Sequence, residues 1–352
     1  MSSKLSTRVL EASEHEAWAR FVAASPHGSA YSLPAYLAAL CEATDASFRV
    51  LAAFRGEEMT GGVALYERRS ALGVFVSPRL LLYYNGFVLR ETETKYPSQR
   101  TAKQIETLMA LEEAVRGLGY ASVKLKSRAS LPDARAMLAR GWTAQPIYSY
   151  VVAFADLKAA RERIEQNLRR LVDRCEKQDV AFTDDDDFAS FFRMHLETHR
   201  RKGAPLYLAR EPFERWFTRL HGQGLCRVFH ARLPDGTSIA SQLVVLGHPT
   251  THTVSAGADF EHLNLGASAF LRWKVFETLS KLGFAANDLT DASLNPVTHF
   301  KSQLGGDLQL CLELTAPEAL AFRLGRAAGA LAERARGGAS ALAKRVLRRG
   351  GT

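Results

Sequence analysis

The sequence lacks the features that define several protein classes. No stretch approaches the roughly eighteen uninterrupted apolar residues that a membrane helix needs, and residues 1–10 have no apolar core of the signal-peptide kind. Cysteine is scarce, and its four residues lie far apart without a C-x-x-C pair or a neighbouring histidine: Cys41, Cys175, Cys226 and Cys311. This spacing argues against a zinc site and a disulfide framework, and it predicts a protein of the reducing cytoplasm.

The positive charge is concentrated at one end of the chain. The 352 residues carry a formal net charge of +9, and residues 317–352 hold eight Lys/Arg against two Asp/Glu, which is +6. The remaining chain is therefore only modestly basic, which is a poor argument for a nucleic-acid-binding surface. Residues 316–352 are predicted to be either a basic amphipathic segment that contacts an anionic membrane surface or a partly disordered tail.

One order of elements occurs twice in the sequence: helix, glycine, strand, proline-led helix, glycine, strand. The glycines are Gly119 and Gly141 in the first half and Gly283 and Gly305 in the second, 22 residues apart in both. An antiparallel meander precedes each unit, over 50–66 and 226–256. The pattern predicts a duplicated α/β (α+β) architecture, each half a mixed, largely antiparallel sheet with flanking helices. We expect domains at 1–155 and 156–315, followed by the tail.

The segment 257–314 contains the strongest candidates for a functional site. A polar loop ending at Asn264 leads into Gly266, Ala267 and Ser268, small residues that open a helix and leave its free N–H groups accessible to an anionic donor. Gly266 is also compatible with a tight turn into the helix that binds no ligand. Asn295 is predicted to cap a second helix with Pro296 in its first position, and Val297, Phe300 and Leu304 to line its buried face.

Other polar residues have both a functional and a structural interpretation. Tyr83 and Asn85 interrupt an apolar run at 80–89 and would either face a substrate cleft between the halves or satisfy their polar groups inside the fold. Arg170, on a charged helix predicted at 157–178, would hold phosphate or face solvent. The four aspartates at 184–187 cannot all face one ion, so we expect a solvated turn there and no metal site.

Taken together, these residues resemble a family. The Gly266-Ala267-Ser268 helix start, a short strand bearing Asp291, and the Phe300-Lys301-x-x-Leu304-Gly305-Gly306 sequence are similar to the FemAB-type transferases and the BioF2-like acetyltransferase domains. Both belong to the GNAT (acyl-CoA N-acyltransferase) superfamily. The Asn-x-Arg-Arg segment ending at Arg170 and the Thr-x-x-Arg-x-Gly segment containing Arg201 extend the resemblance, which is strongest over about 162–314.

The resemblance implies two GNAT-like folds and the transfer of an acyl or aminoacyl group to an amine, often on a cell-envelope precursor such as one for peptidoglycan. No covalent enzyme intermediate and no tightly bound cofactor are needed. It implies that Arg201 contacts a precursor phosphate, and the alternative is a basic helix C-terminus that complements the helix dipole without a ligand. Arg170, Phe300, Tyr83 and Asn85 are the further candidates for substrate binding. Lys301 would stabilise developing charge.

Three questions remain open from the sequence. Asp291 is a candidate proton acceptor, but an aspartate there also suits the cap of a turn. The donor is acyl-CoA or aminoacyl-tRNA. Against the tRNA, the second half lacks the helical hairpin of the aminoacyl-tRNA users, although some family members lack it too. Against coenzyme A, the pyrophosphate loop at 261–267 is only a partial match. The alternative to an enzyme is a degenerate GNAT-like module that binds an envelope precursor or a partner protein.

Overall fold

The structure, a computed structural model, describes residues 5–318 and Phe322. The basic tail predicted at 316–352 lies almost wholly outside the described residues. No helix within the described part is both long and apolar enough to cross a membrane.

The described residues form ten α-helices and thirteen strands. The helices are α1 (His15–Ala24), α2 (Pro34–Thr44), α3 (Pro97–Gly117), α4 (Arg135–Leu138), α5 (Leu157–Arg163), α6 (Gln166–Lys177), α7 (Phe188–Lys202), α8 (Arg210–Gly222), α9 (Ala267–Lys281) and α10 (Pro296–Ser302). The strands are β1 (Leu5–Val9), β2 (Ser47–Arg55), β3 (Glu58–Ser70), β4 (Gly73–Val76), β5 (Val88–Leu89), β6 (Ser122–Ser127), β7 (Thr143–Ala153), β8 (Ala181–Asp185), β9 (Cys226–Arg232), β10 (Ser238–Val245), β11 (Thr251–Ala258), β12 (Ala286–Asp288) and β13 (Asp307–Thr315).

The strands of both halves form one mixed, largely antiparallel sheet in the order β1-β2-β3-β4-β6-β13-β7-β12-β11-β10-β9-β8, with β5 pairing β3. The last strand of the second half, β13, lies between β6 and β7 of the first half. In turn, β7 pairs with β12 of the second half. Each half therefore supplies a strand to the centre of the shared sheet. The predicted mixed-sheet architecture is confirmed, and the domain limits at 155 and 315 stay predictions.

The predicted repeat is present as α3–β6–α4–β7 and α9–β12–α10–β13. A proline begins only the second of its two short helices, α10, because α4 starts at Arg135. All four glycines that punctuate it, Gly119, Gly141, Gly283 and Gly305, have positive φ angles of 68°, 83°, 87° and 81°. This left-handed backbone region is open to glycine at little cost, which explains their place after helices.

Several predicted elements differ from the structure. The charged helix predicted at 157–178 is two helices, α5 and α6, because Ile164 has extended backbone angles and ends α5. The apolar run at 80–89 is mostly irregular, with only Val88–Leu89 in a strand. Strand β1 and helix α8 were not predicted. Val297 is 37% exposed, so its assignment to a buried face is wrong, whereas Leu304 is buried.

An aromatic core joins the two halves through α2 and α8. Tyr36 of α2 meets Trp216 of α8 edge to face, with ring centroids 5.9 Å apart, and both side chains are fully buried. Edge-to-face contact favours such pairs beyond the area they bury. The helices thus fix the halves against each other behind the sheet.

Gly266 begins α9 in a position that a larger residue cannot occupy. Its φ is +90°, and a Cβ built on it would lie 2.6 Å from Leu171 Cβ on α6. We expect Gly266→Ala to lower the free energy of unfolding by about 1–3 kcal/mol, from backbone strain and overpacking. Urea unfolding measures it. Gly266→Ala should cost less in a Leu171→Gly background, which lacks the Cβ that would be contacted, and equal losses in the two backgrounds would contradict the packing role.

Three buried histidines couple stability to acid. Burial lowers the pKa of His195 to about 3 and of His230 and His252 to about 4. The unfolded chain, with ordinary histidine pKa values near 6.5, takes up protons as the pH falls from about 6.5 to 4 while the native protein does not. These residues therefore remove stability over that interval.

We expect His252→Gln to reduce the loss of unfolding free energy between pH 7 and pH 5 by about 1–2 kcal/mol. Paired urea titrations at the two pH values measure that difference, whatever the variant's absolute stability. His299→Gln, at an exposed position, is the control and should leave it unchanged. The same pH dependence in wild type and His252→Gln would exclude His252 as its source.

Candidate functional site

The candidate site lies where two neighbouring parallel strands of the sheet, β11 and β12, diverge. Strands β11 and β12 pair only at Thr251 with Asn287 and at His252 with Asp288, although β11 continues to Ala258. Beyond these pairs the carboxyl ends of the strands separate and leave an opening. Crevices at the carboxyl ends of parallel strands are common ligand sites, because the backbone there is free to contact a ligand.

A β-bulge in β11 faces the same opening. Leu243 of β10 pairs with Ser255 and Val244 pairs with Thr253, so Val254 has no partner in the ladder. The Val254 carbonyl accepts a hydrogen bond from the Tyr207 hydroxyl at 3.3 Å. A bulge redirects the backbone locally and leaves one residue outside the ladder, here at the wall of the opening.

Three adjoining cavities form one cleft along this opening. The central cavity, of about 490 Å³, is bordered by α7, β11, α10 and the 289–291 turn. The Tyr83 cavity, of about 420 Å³, shares Tyr207, Val254, Thr290 and Asp291 with it and reaches the first half. The Ser268 cavity, of about 280 Å³, shares Thr198, Lys202, Ala256, Arg272 and Val297 with it and reaches the start of α9.

Lys301 holds the turn that borders the central cavity. Its Nζ donates to the Thr290 carbonyl and, at 2.6 Å, to the Asp291 carbonyl. Burial and the nearby Arg272 guanidinium lower the pKa of the Lys301 ammonium to about 8. The sequence therefore identified a lysine of the cleft, and its ammonium is engaged with backbone oxygens.

The turn itself is strained. Thr290 and Asp291 both have positive φ, 49° and 44°, an uncommon conformation for residues with side chains. The Thr290 hydroxyl donates to the Thr253 carbonyl at 2.9 Å, and the Asp291 N–H donates to the Tyr83 hydroxyl at 2.6 Å. Strain of this kind persists only where surrounding contacts fix it, and it concentrates at functional sites.

Beneath the turn, Asp288 is the centre of a buried polar network between the halves. Its carboxylate accepts from the Tyr84 hydroxyl at 2.8 Å, the Thr290 N–H at 2.7 Å and the Ser149 hydroxyl. His252 lies beside it, with Nδ1 3.8 Å from Oδ2. Tyr84 and Ser149 come from the first half, so this carboxylate links both halves to the turn.

The Asp291 side chain is the exposed part of the turn. Its Oδ1 accepts from the Ser293 N–H at 3.1 Å and the Ser293 hydroxyl. This is the turn-capping arrangement that the sequence also allowed.

The other residues predicted for substrate binding lie at different depths. Tyr83 borders the cleft with Lys126 Nζ 3.7 Å from its ring centroid, whereas Asn85 is buried, with its amide bonded to the backbone of Lys124 and Lys126. Phe300 and Arg201 both line the Ser268 cavity, and Arg201 lies over the Phe260 ring. Arg170 is exposed on α6 and lines none of the three cavities.

At the predicted donor-binding segment, only Ser268 lines the Ser268 cavity. Ala267 is buried, Gly266 packs against Leu171, and the Asn264 carbonyl accepts from Arg174 at 3.1 Å. These three residues therefore shape the entry of α9, and Ser268 is the one that borders the cleft.

The sequence interpretation missed two residues that line the central cavity. His199 Nδ1 lies 2.8 Å from the Pro205 carbonyl, which can only accept, so Nδ1 carries a proton and Nε2 of the neutral ring has a free lone pair. Arg272 is only 8% exposed. Its position within the apolar sequence Ala269–Phe276 was a signal, since an arginine is rarely buried without a purpose.

The aspartate run at 184–187 is partly different from the expected turn. Asp184 and Asp185 end β8, and Asp187 caps α7. Asp185, Asp187 and His230 offer ligand atoms within 4.8 Å of one another. Arg232 makes ion pairs with both carboxylates, at 3.1 and 2.9 Å, so a guanidinium already supplies the positive charge there.

Comparisons with known proteins concern the second half of the sequence and the fold of the chain. Residues 158–302 match the family model described as an acetyltransferase (GNAT) domain. No curated protein matches the chain by sequence. Among solved structures, FemX is 13% identical and has a TM-score of 0.69, over 88% of this chain and 96% of that chain.

Two further solved structures have the same fold at similarly low sequence identity. The C-terminal domain of a putative lysylphosphatidylglycerol synthetase from Agrobacterium fabrum has a TM-score of 0.56 at 12% identity, covering 91% of this chain and 97% of that one. A tandem GNAT protein from the clavulanic acid biosynthesis pathway has a TM-score of 0.52 at 13% identity, covering 90% and 98%. The chain therefore has the tandem fold of GNAT acyltransferases, with the GNAT acetyltransferase domain matched in its second half.

Proposed function

We propose that the protein is an N-acyltransferase that transfers an acyl or aminoacyl group to an amine by direct attack. The observation that carries this proposal is the open pair β11/β12 with the Val254 bulge on one side and the pinned Thr290–Asp291 turn on the other. Such a cleft holds a carbonyl beside free backbone groups, and bringing the amine and the carbonyl together is the main requirement of the reaction.

In the proposed reaction the amine nitrogen forms a bond to the carbonyl carbon of the donor, and the carbonyl oxygen takes up the electron pair. The backbone N–H of Val254, outside the ladder, is our candidate donor to that oxyanion. Collapse of the intermediate then breaks the carbon–sulfur bond of a thioester or the carbon–oxygen bond of an ester. The amine loses its proton to a base of the cleft, and the base returns that proton to the leaving thiolate or alkoxide.

His199 is the better placed of two candidate bases. Its Nε2 lone pair is free when the ring is neutral, because Nδ1 is bound to the Pro205 carbonyl. Asp291, the candidate from the sequence, has Oδ1 occupied by Ser293. Lys301 acts in this proposal by holding the Thr290–Asp291 turn beside the reacting carbonyl.

The donor class in this proposal is acyl-CoA or aminoacyl-tRNA, and the acceptor is an amine on a cell-envelope precursor. The FemAB-type resemblance supports the envelope acceptor, and the shared fold with a lysylphosphatidylglycerol synthetase supports an aminoacyl donor. Ser268 would approach the donor, and Arg201, Phe300 and Tyr83 the substrate. Arg170, outside the cleft, has no part in it.

The proposal is tested by incubating the protein with acyl-CoAs or charged tRNA and with amine-bearing envelope precursors, including UDP-linked wall precursors. Product is detected by mass spectrometry, with released thiol or deacylated tRNA as a second readout. Acylated amine formed only with protein supports the proposal. Precursor binding without any product across the donors would favour the degenerate binding module instead.

Lys301→Met should lower kcat/KM by about 10²-fold, because the Thr290–Asp291 turn loses both ammonium hydrogen bonds beside the reacting carbonyl. Thiol or tRNA release under initial-rate conditions measures the effect. Lys158→Met, at an exposed position on α5, is the matched control and should retain full activity. A Lys301→Met rate equal to that of the control would remove Lys301 from the mechanism.

His199→Gln should lower kcat by about 10²-fold with little change in KM, since proton acceptance in the transition state contributes on that scale. His15→Gln, on α1, is the control. Should Asp291→Asn instead lower kcat by this amount while His199→Gln leaves kcat intact, Asp291 would be the base.

A further inference from the structure

Arg272 is a buried cation without a counter-charge. Its side chain is 8% exposed, and its Nη1 has no hydrogen-bond partner among the described residues. Burial lowers the pKa of the Arg272 guanidinium to about 10, so it stays charged at neutral pH. An isolated charge in the protein interior is costly unless a partner neutralises it.

The groups around Arg272 do not supply that partner. Arg272 lines both the central and the Ser268 cavities, where the other charged residues are Lys301, Lys202, Arg201 and Asp291. Lys301 and Lys202 repel cations. The Asp291 carboxylate is bonded to Ser293, and no ion pair joins it to Arg272 among the described residues. An anion that enters the cleft is therefore the missing partner.

We propose that Arg272 binds a carboxylate group of the substrate held in this cleft. That the cleft holds a substrate rests on the proposed function. A planar carboxylate matches the guanidinium fork. The Lys301 ammonium already donates to two carbonyls, whereas Nη1 of Arg272 has no partner among the described residues and is available to the anion.

The carboxylate belongs to one of two sources, the acyl donor or the amine acceptor. Both would lie in the cleft, and Arg272 borders the two cavities that adjoin. A site that pairs a buried charge discriminates strongly against neutral analogues, because the unpaired charge stays buried when such an analogue binds. Arg272 would thus determine substrate specificity.

Calorimetric titration with succinate, succinamide and inorganic phosphate tests the anion site directly, without any transfer reaction. Wild type should bind succinate more tightly than the other two, and Arg272→Met should weaken succinate binding by about tenfold or more. Arg170→Met, an exposed arginine outside the cleft, should bind as wild type does. Equal succinate affinity in Arg272→Met, or tighter binding of phosphate than of succinate, would overturn the proposal.

Thermal unfolding without ligand separates this result from misfolding. Because Arg272→Met replaces an unpaired buried charge with an apolar side chain of similar length, its Tm should be at or above that of wild type. A lower Tm would mean that Arg272 stabilises the fold, and it would overturn the assignment of an unpaired charge.

Two pairs of probes then identify the source of the carboxylate. Succinyl-CoA binding more tightly than butyryl-CoA, with the difference lost in Arg272→Met, assigns it to the donor. Glutamate binding more tightly than its dimethyl ester, with the same loss, assigns it to the acceptor. No discrimination in either pair overturns the role in substrate binding. Arg272-dependent carboxylate binding without acyl transfer by any donor would refute the proposed function and leave the anion site intact.

Discussion

The exchange of strands at the centre of the sheet is the constraint on which the rest of the structure depends. Strand β13, from the end of the second half, pairs along its length with β7 and over Leu312–Thr315 with β6. Strand β7 in turn pairs with β12. Because β12 is only three residues long, its position is set by β7 on one side and by two residues of β11 on the other. The divergence of β11 and β12, and thus the cleft, follows from that pairing.

Polar contacts extend this constraint from the backbone to the site. The Asp288 carboxylate accepts hydrogen bonds from the hydroxyl groups of Tyr84 and Ser149 of the first half. It also accepts one from the Thr290 N–H of the turn beside it. Lys301 closes the turn from α10. A buried network of this kind is stabilising when its members are paired, and it specifies one arrangement of the groups. The strained backbone of the turn is thereby held by contacts from both halves.

The sequence predicted the local structure of this region better than its chemistry. The four glycines and the Asn295 cap depend on neighbouring residues, so these parts of the repeat were confirmed. The placement of β13 between β6 and β7 depends on pairing between distant segments, which no local pattern contains.

Of the candidate site residues, Lys301, Asp291, Tyr83, Arg201, Phe300 and Ser268 line the cleft. Asn85 is inside the fold, because its amide satisfies backbone groups of β6. His199 and Arg272 were missed because their importance comes from tertiary partners. His199 bonds to a carbonyl six residues away in a loop. Arg272 matters because its buried Nη1 has no hydrogen-bond partner among the described residues.

The strand exchange also bears on how the chain folds during synthesis. Leu125 of β6 pairs with Leu314 of β13, so the first half cannot complete its sheet until β13 has left the ribosome. Until then β6 and β7 present unpaired edges, which are prone to pair with other chains. Pairing at such sequence separation is also slow, because the loop-closure entropy is lost before the contacts form. The nascent first half is therefore the stage at which this protein most needs protection from aggregation.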